Sequence, residues 1–119
     1  MNSSVLAMAL DCAINPDLQL CVDCVDDQET GAVKAVAPNG KLLVVDNAYC
    51  KDGKSVAAVI NALRSLPPDT QISVLFTDYD AEQDELVIDE TSVLYDISSI
   101  LLEPTGATTL KCRRHHDGG

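Results

Sequence analysis

Aromatic side chains are nearly missing from this chain: of 119 residues, one is Phe, three are Tyr and none is Trp. Stacking platforms for bases or sugars are therefore scarce, and a core has to be assembled from Val, Leu, Ile and Ala. Basic residues are scarce as well. Eight Lys and Arg stand against 19 Asp and Glu, a formal charge of -11 with an isoelectric point near 4.2. Such a surface repels phosphate backbones and anionic bilayers, which argues against nucleic acid or a membrane as partner. No apolar run approaches the roughly 18 residues that a bilayer span needs. The run Val5 to Leu10 has six residues and no basic segment before it. An odd cysteine count, five, adds to this, so the expectation is a soluble, reduced, cytoplasmic protein and not a secreted disulfide framework. Histidine occurs only at 115 and 116. No Ser-His or Cys-His pair is then set on a rigid element, which leaves nucleophilic catalysis without support.

What the chain does have is acid and alternating apolar patterning. Positions 1 to 110 carry 18 acids against five bases, 18 - 5 = 13 net negative charges. A body that acidic suits a basic protein partner, divalent cations or simple solubility. The length is that of one domain able to bury a core without disulfides or metal. Residues 1–112 are expected to form that domain, and 113–119 a flexible polar tail. No internal repeat or low-complexity tract is evident.

Ser3 or Ser4 is placed to cap a first element reaching Ile14, which Asn15-Pro16 ends because Pro disfavours a helical predecessor. Leu18 to Val25 alternates, with Leu18, Leu20, Val22 and Cys24 on one face, as a half-buried strand does. Ala32 to Ala37 reads as a second strand, Pro38-Asn39-Gly40 as a hairpin turn, and Lys41 to Asp46 as a third strand. Val56, Val59, Ile60, Leu63 and Leu66 repeat at helical spacing until Pro67-Pro68. Gln71 to Thr77 is an apolar strand, and Glu85 to Asp89 a shorter one that could pair with it antiparallel. Val93, Leu94, Ile97, Ile100 and Leu101 share a helical face, so Ser92 to Leu102 is predicted as a helix. Thr105 to Cys112 is open to a last strand. Strand, helix, strand over 41–77 has the length of a right-handed β-α-β crossover. The expected fold class is thus α/β: a single-domain sandwich, a mixed sheet of about five strands with two to three helices.

In a parallel α/β sheet, ligands bind beyond the carboxyl ends of strands, where Asp46 and Asp78 would both sit. With the hydroxyl of Ser55 or Thr77 nearby, these carboxylates could hold Mg2+ through oxygen ligands. Equally, Asp46 and Asp78 are ordinary turn residues at strand ends. Residues 48–55 also satisfy a relaxed phosphate-loop pattern, with Gly53-Lys54-Ser55 opening a helix after a strand. The first glycine of that pattern is missing, and Asp52 would face the phosphate.

Residues 41–80 resemble the von Willebrand A-like domains and the similar trunk domain of vesicle-coat proteins. The shared features are Leu43-Val44-Val45-Asp46, the helix end Leu66-Pro67-Pro68-Asp69, and the strand Ile72 to Phe76 followed by Thr77-Asp78. The resemblance implies a Rossmann-like sheet and a protein-binding role, with metal held at the sheet's top in many members. The family's metal motif is Asp-x-Ser-x-Ser; this chain reads Asp46-Asn47-Ala48-Tyr49-Cys50, without either serine.

Cys21-Val22-Asp23-Cys24 and Cys112-Arg113-Arg114-His115 form a CxxC and a CxxH with zinc-ligand spacing. Strand alternation, however, points Cys21 and Cys24 to opposite faces, and it also removes the helix start that a thioredoxin-like redox pair needs. Residues 78–90 hold seven acids and no base in 13 positions. Their spacing echoes a calcium loop loosely, but Gln83 stands where that loop requires Gly. Asp78, Asp80, Glu82, Asp84 and Glu85 read either as a solvated hairpin or as a docking surface for Lys and Arg of a partner. The terminal Gly118-Gly119 resembles the diglycine end of ubiquitin-like modifiers without any wider match. Two functions remain: a non-enzymatic acidic interaction domain of adaptor, chaperone or inhibitor type, with a homodimer open to it as to small acidic secretion chaperones; or a divalent-metal-dependent phosphate-handling enzyme built on Asp46, Asp78 and Ser55.

Overall fold

A computed structural model describes residues 1–46 and 53–115. Six of its strands close into a barrel, in the order β1 (Leu20–Cys24), β2 (Glu29–Val36), β3 (Lys41–Asp46), β4 (Ser73–Phe76), β7 (Val93–Leu102) and β8 (Thr108–Arg114). A two-stranded ribbon, β5 (Asp78–Asp80) and β6 (Glu85–Val87), stands apart from it. Two short helices, α1 (Ser3–Leu10) and α2 (Val56–Arg64), complete the described elements.

Local chemistry accounts for most of the element ends. The Asn2 side chain caps α1 by accepting the Val5 N–H at 2.9 Å, and Ser55 caps α2 by accepting the Ala58 N–H at 3.1 Å. α2 turns Val56, Val59, Ile60 and Leu63 inward, all buried, and ends before Pro67-Pro68. Between β2 and β3 the chain turns through Ala37-Pro38-Asn39-Gly40, where Gly40 adopts φ +90°. That left-handed position, with the Gln71 carbonyl only 2.3 Å from where a Cβ would stand, admits glycine alone.

Inside the barrel, alternate residues from each strand meet. Leu20, Val22 and Cys24 face Leu42, Val44, Val74, Tyr95, Leu110 and Cys112 in one apolar cluster, with α1 and α2 contributing Leu6, Leu10, Val56, Val59 and Leu63. Each fully buried Val or Leu contributes about 1.5–3 kcal/mol, which is how a chain so poor in aromatics sustains a core. The helices gather where β1 and β4 begin: Ser3 N–H donates to the Thr70 carbonyl, Ile72 N–H to Met1, and Ala57 N–H to Pro16. The segment before α2 fills the seam between β1 and β2. Leu20 N–H donates to the Lys54 carbonyl at 3.0 Å, and Lys54 N–H to Val33 at 2.8 Å.

The α/β sandwich expected from the sequence is overturned by this closed barrel, and with it the open Rossmann-like sheet that the von Willebrand A-like resemblance implies. β3 and β4 do run parallel as neighbours, Leu42 opposite Val74 and Val44 opposite Phe76. What the element list could not supply is a second parallel seam, β1 with β8, which joins the two edges of the sheet. Ser92 to Leu102, expected as a helix, is mostly the long strand β7. A β-bulge explains the difference. The register between β7 and β8 shifts between Ile97 and Ser99, so the core-facing residues Val93, Tyr95, Ile97 and Ile100 step by two, two and then three. That last step imitates helical spacing. Residues 85–87 pair with β5, while β4 takes β7 as its antiparallel neighbour. Arg113 and Arg114, assigned to a tail by the sequence reading, lie in β8.

Candidate functional site

One end of the barrel is where Cys24, Asp46, Phe76 and Arg114 finish their strands and Glu29 and Val93 start theirs. Its two sides differ in charge. On the β1–β8 side, acids and bases neutralise one another. Asp27 holds the Arg114 guanidinium through both carboxylate oxygens, at 2.7 to 3.1 Å. Asp26 accepts from the Arg113 guanidinium at 3.0 Å and from the Arg114 backbone N–H at 2.8 Å. Buried Tyr95, 1% exposed, donates its hydroxyl to Asp27. The backbone N–H of Arg114 and the Arg113 guanidinium hold the Asp26 carboxyl below the ordinary range; Arg114 and then the Tyr95 hydroxyl do the same for Asp27. Lys111 likewise meets Asp23 at 2.5 Å.

On the β3–β4 side acids and hydroxyls are gathered. A cleft of about 370 Å³ is lined by Glu29, Asp46, Thr77, Asp78, Thr91 and Ser92, with Phe76 and Tyr79 among its apolar walls. Asp46 comes from the end of β3 and Asp78 from the start of β5. Thr77 fixes their relation, because its N–H and its hydroxyl both donate to the Val44 carbonyl, at 2.8 and 3.1 Å. Across the cleft the Thr91 hydroxyl sits 2.6 Å from the Asp89 carboxylate and 3.5 Å from that of Asp78. Thr91, by its hydroxyl first and then its N–H, holds the Asp89 carboxyl below its usual range.

Of the five acids read as a docking surface, two are structural parts of the ribbon. Asp80 accepts the Glu82 and Gln83 N–H groups at 3.0 and 3.3 Å, closing the turn. Asp84 takes φ +53° and accepts the Tyr79 hydroxyl. Asp78, Glu82 and Glu85 are exposed. None of the acids from Asp78 to Glu90 is in an ion pair among the described residues, where Arg64, Lys111, Arg113 and Arg114 are committed to Asp11, Asp23, Asp26 and Asp27. The ribbon is seated by Tyr79 and Leu86, which cover Ala32 and Val45 on the outer barrel wall. Lys34 lies 5.7 Å from the Tyr79 ring centre.

The metal ligand sets are brought together only in part. Asp46 and Asp78 share the cleft, but Ser55 is the cap of α2 and bridges to Gln19, before β1 and at the other end of that strand from Cys24. Of the phosphate-loop residues 48–55, positions 48–52 lie outside the described residues, as do 116–119 with the diglycine end. Cys24 and Cys112 stand opposite each other in the parallel β1–β8 register, both wholly buried, and burial pushes each thiol up to about 12. Cys21 faces outward beside Glu103 and Lys111, its thiol raised by burial and then by the Glu103 charge. His115 turns elsewhere, its Nδ1 2.9 Å from Asp96. Among the described residues no group of three or more His, Cys, Asp or Glu is arranged to hold a metal ion.

Glu29 is a rim acid that sequence reasoning missed. Glu29 becomes visible only once β2 is known to start beside the end of β3, with Gly31 opposite Asp46. The Arg113–Arg114 clamp was hidden by its place near the chain end. No helix among the described residues is long and apolar enough to cross a membrane. Family models, curated proteins and solved structures contain no match to this chain.

Proposed function

We propose that this protein is a non-enzymatic interaction domain that docks a basic protein partner on the ribbon and the acidic side of the barrel end. The observation that carries the reading is the segregation of charge. Four of the described cations are spent on acids of other surfaces, whereas residues 78–90 gather seven acids with no base among them. Uncompensated charge of this kind raises encounter rates with an oppositely charged protein and makes binding salt-dependent. The apolar anchors Tyr79 and Leu86 give the strip a fixed base on the barrel, so that its acids are presented in one arrangement.

Pull-downs at low salt should recover a partner whose retention falls as salt rises. Glu82→Lys with Glu85→Lys should abolish that retention without unfolding the ribbon, because neither side chain carries a hydrogen bond or ion pair among the described residues. Unchanged recovery by the double variant refutes the reading. The second reading, a metal-dependent phosphate-handling enzyme, keeps one supporting observation: Asp46 and Asp78 line the same cleft. Localised amide shifts at those two residues on titration with Mg2+ or Mn2+ would favour it, and their absence would sink it.

A further inference from the structure

The second half of the barrel retraces the first. α1, β1, β2, β3 and then α2, β4, β7, β8 follow the same order, and their registers superpose. Val22 pairs with Gly31 and Gly31 with Asp46; Val74 pairs with Tyr95 and Tyr95 with Arg114. The two parallel seams match as well. Exchanging Val22 with Val74 and Leu42 with Leu110 carries the pair Leu42 and Val74 onto Leu110 and Val22, and the pair Val44 and Phe76 onto Cys112 and Cys24.

Finer details repeat too. β2 bulges between Val33 and Ala35, opposite Val44 and Leu43; β7 bulges between Ile97 and Ser99, opposite Cys112 and Lys111, the equivalent residues. The hairpins that follow are Ala37-Pro38-Asn39-Gly40-Lys41 and Glu103-Pro104-Thr105-Gly106-Ala107. In both, the first residue's N–H donates to the fifth residue's carbonyl at 2.9 Å, and the glycine N–H donates back to the first carbonyl, at 3.0 and 2.9 Å. Both glycines are left-handed, at φ +90° and +97°. Barrel closure by itself requires neither the matching bulges nor the matching turns.

The second hairpin is longer by two register pairs, Leu101 with Thr109 and Leu102 with Thr108, and the halves part company further at one connection. β1 reaches β2 through the four residues Val25–Gln28, while β4 reaches β7 through residues 77–92, which include the ribbon. The barrel wall is altered to suit. Ala32 and Val45, register partners under the ribbon, are wholly buried and apolar, whereas their equivalents Asp96 and Arg113 are exposed and charged. The strand end that carries Arg114 in one half carries Asp46 in the other.

We infer that the barrel is two copies of one helix-and-three-strand unit related by a pseudo-twofold axis, and that the β5–β6 ribbon is an insertion into the second copy which the barrel does not need in order to fold. The first half specifies the replacement. Phe76 and Val93 are register partners as Cys24 and Glu29 are, so Val-Asp-Asp-Gln, the connection 25–28, fits in place of residues 77–92. One variant carries this graft alone. A second adds Val45→Arg and Asp46→Arg, which give the graft's two aspartates the partners that Arg113 and Arg114 of β8 give Asp26 and Asp27, and which charge the wall that the ribbon had covered.

Far-UV circular dichroism, amide NMR dispersion and thermal melts of both variants test the proposal. The expected result is a cooperative melt in at least one variant, with the second melting above the first. If neither melts cooperatively, or the second melts below the first, the equivalence of the halves is overturned. The docking reading stands or falls separately, on whether a folded graft still binds a synthetic Lys-Arg decapeptide at low salt.

Discussion

Gly31→Ala is the substitution whose effect follows most directly from the packing of the barrel wall. A Cβ at Gly31 would lie 2.3 Å from the Val45 carbonyl oxygen and 2.8 Å from Cγ1 of Val44. Ordinary contact demands that β2 and β3 separate by roughly an ångström, and the nearer obstacle is backbone, which cannot rotate away. Overpacking of this kind costs about 1–3 kcal/mol, and a backbone obstacle places it near the upper end. Loss of glycine's freedom in the unfolded chain offsets about 0.4–1 kcal/mol, leaving a net destabilisation of about 2 kcal/mol. At about 4 °C per kcal/mol for a domain of this size, the melting temperature should fall by roughly 8 °C. Differential scanning calorimetry reads this directly. Amide shifts should be concentrated at residues 31–33 and 44–46, so Asp46 at the cleft rim moves too, being the register partner of Gly31. A fall below about 2 °C would refute the reasoning, since it would mean that the two strands are not packed at this distance.

Tyr95→Phe removes the hydroxyl that Asp27 accepts and should lower the melting temperature at neutral pH, with the deficit shrinking in acid. Asp26, Asp27 and Asp89 all have folded values below the ordinary one, so they add stability above about pH 3.9 that is lost as pH falls through their depressed folded values. Acid titration of the melting temperature in both proteins checks the sign. At the alkaline end the thiols act in the opposite sense. Between the usual value of about 8.5 and the folded value of about 12, the unfolded chain has released protons that Cys24 and Cys112 still hold, so stability should decline as pH rises, and less steeply in Cys24→Ala. A maleimide should label exposed Cys12 in the native protein and leave Cys24 and Cys112 unmodified until denaturant is added, as peptide mass mapping would report.

Those elements whose cause is local were legible in the sequence. Lys41 to Asp46, the Pro38-Asn39-Gly40 turn and the helix over Val56 to Leu63 each follow from alternation, turn chemistry or helical spacing, and each is present at those residues. What escaped depends on long-range pairing. The β1–β8 seam joins residues some 88 positions apart, Leu20 with Thr108, and leaves no local trace. The bulge at Ser98 disguised β7 by inserting one residue into its alternation. The repeat of the two halves was masked for the same reason as well as by the ribbon, although Pro38-Asn39-Gly40 and Pro104-Thr105-Gly106 were its visible remnant. At the candidate site, the meeting of Asp46 and Asp78 in one cleft follows from β3 and β4 being parallel neighbours in the barrel. The placing of Ser55 did not follow, because its hydroxyl is engaged at the helix cap.

The docking reading is tested most directly by titrating the isotope-labelled protein with a synthetic Lys-Arg decapeptide at low salt while following its amide resonances. The account predicts saturable shifts confined to residues 78–91 and the rim at Glu29 and Asp46, weakening steeply as salt is raised. Shifts absent from the ribbon, or spread evenly over Asp11, Asp17, Asp69 and the other acids of the remaining surface, would contradict it.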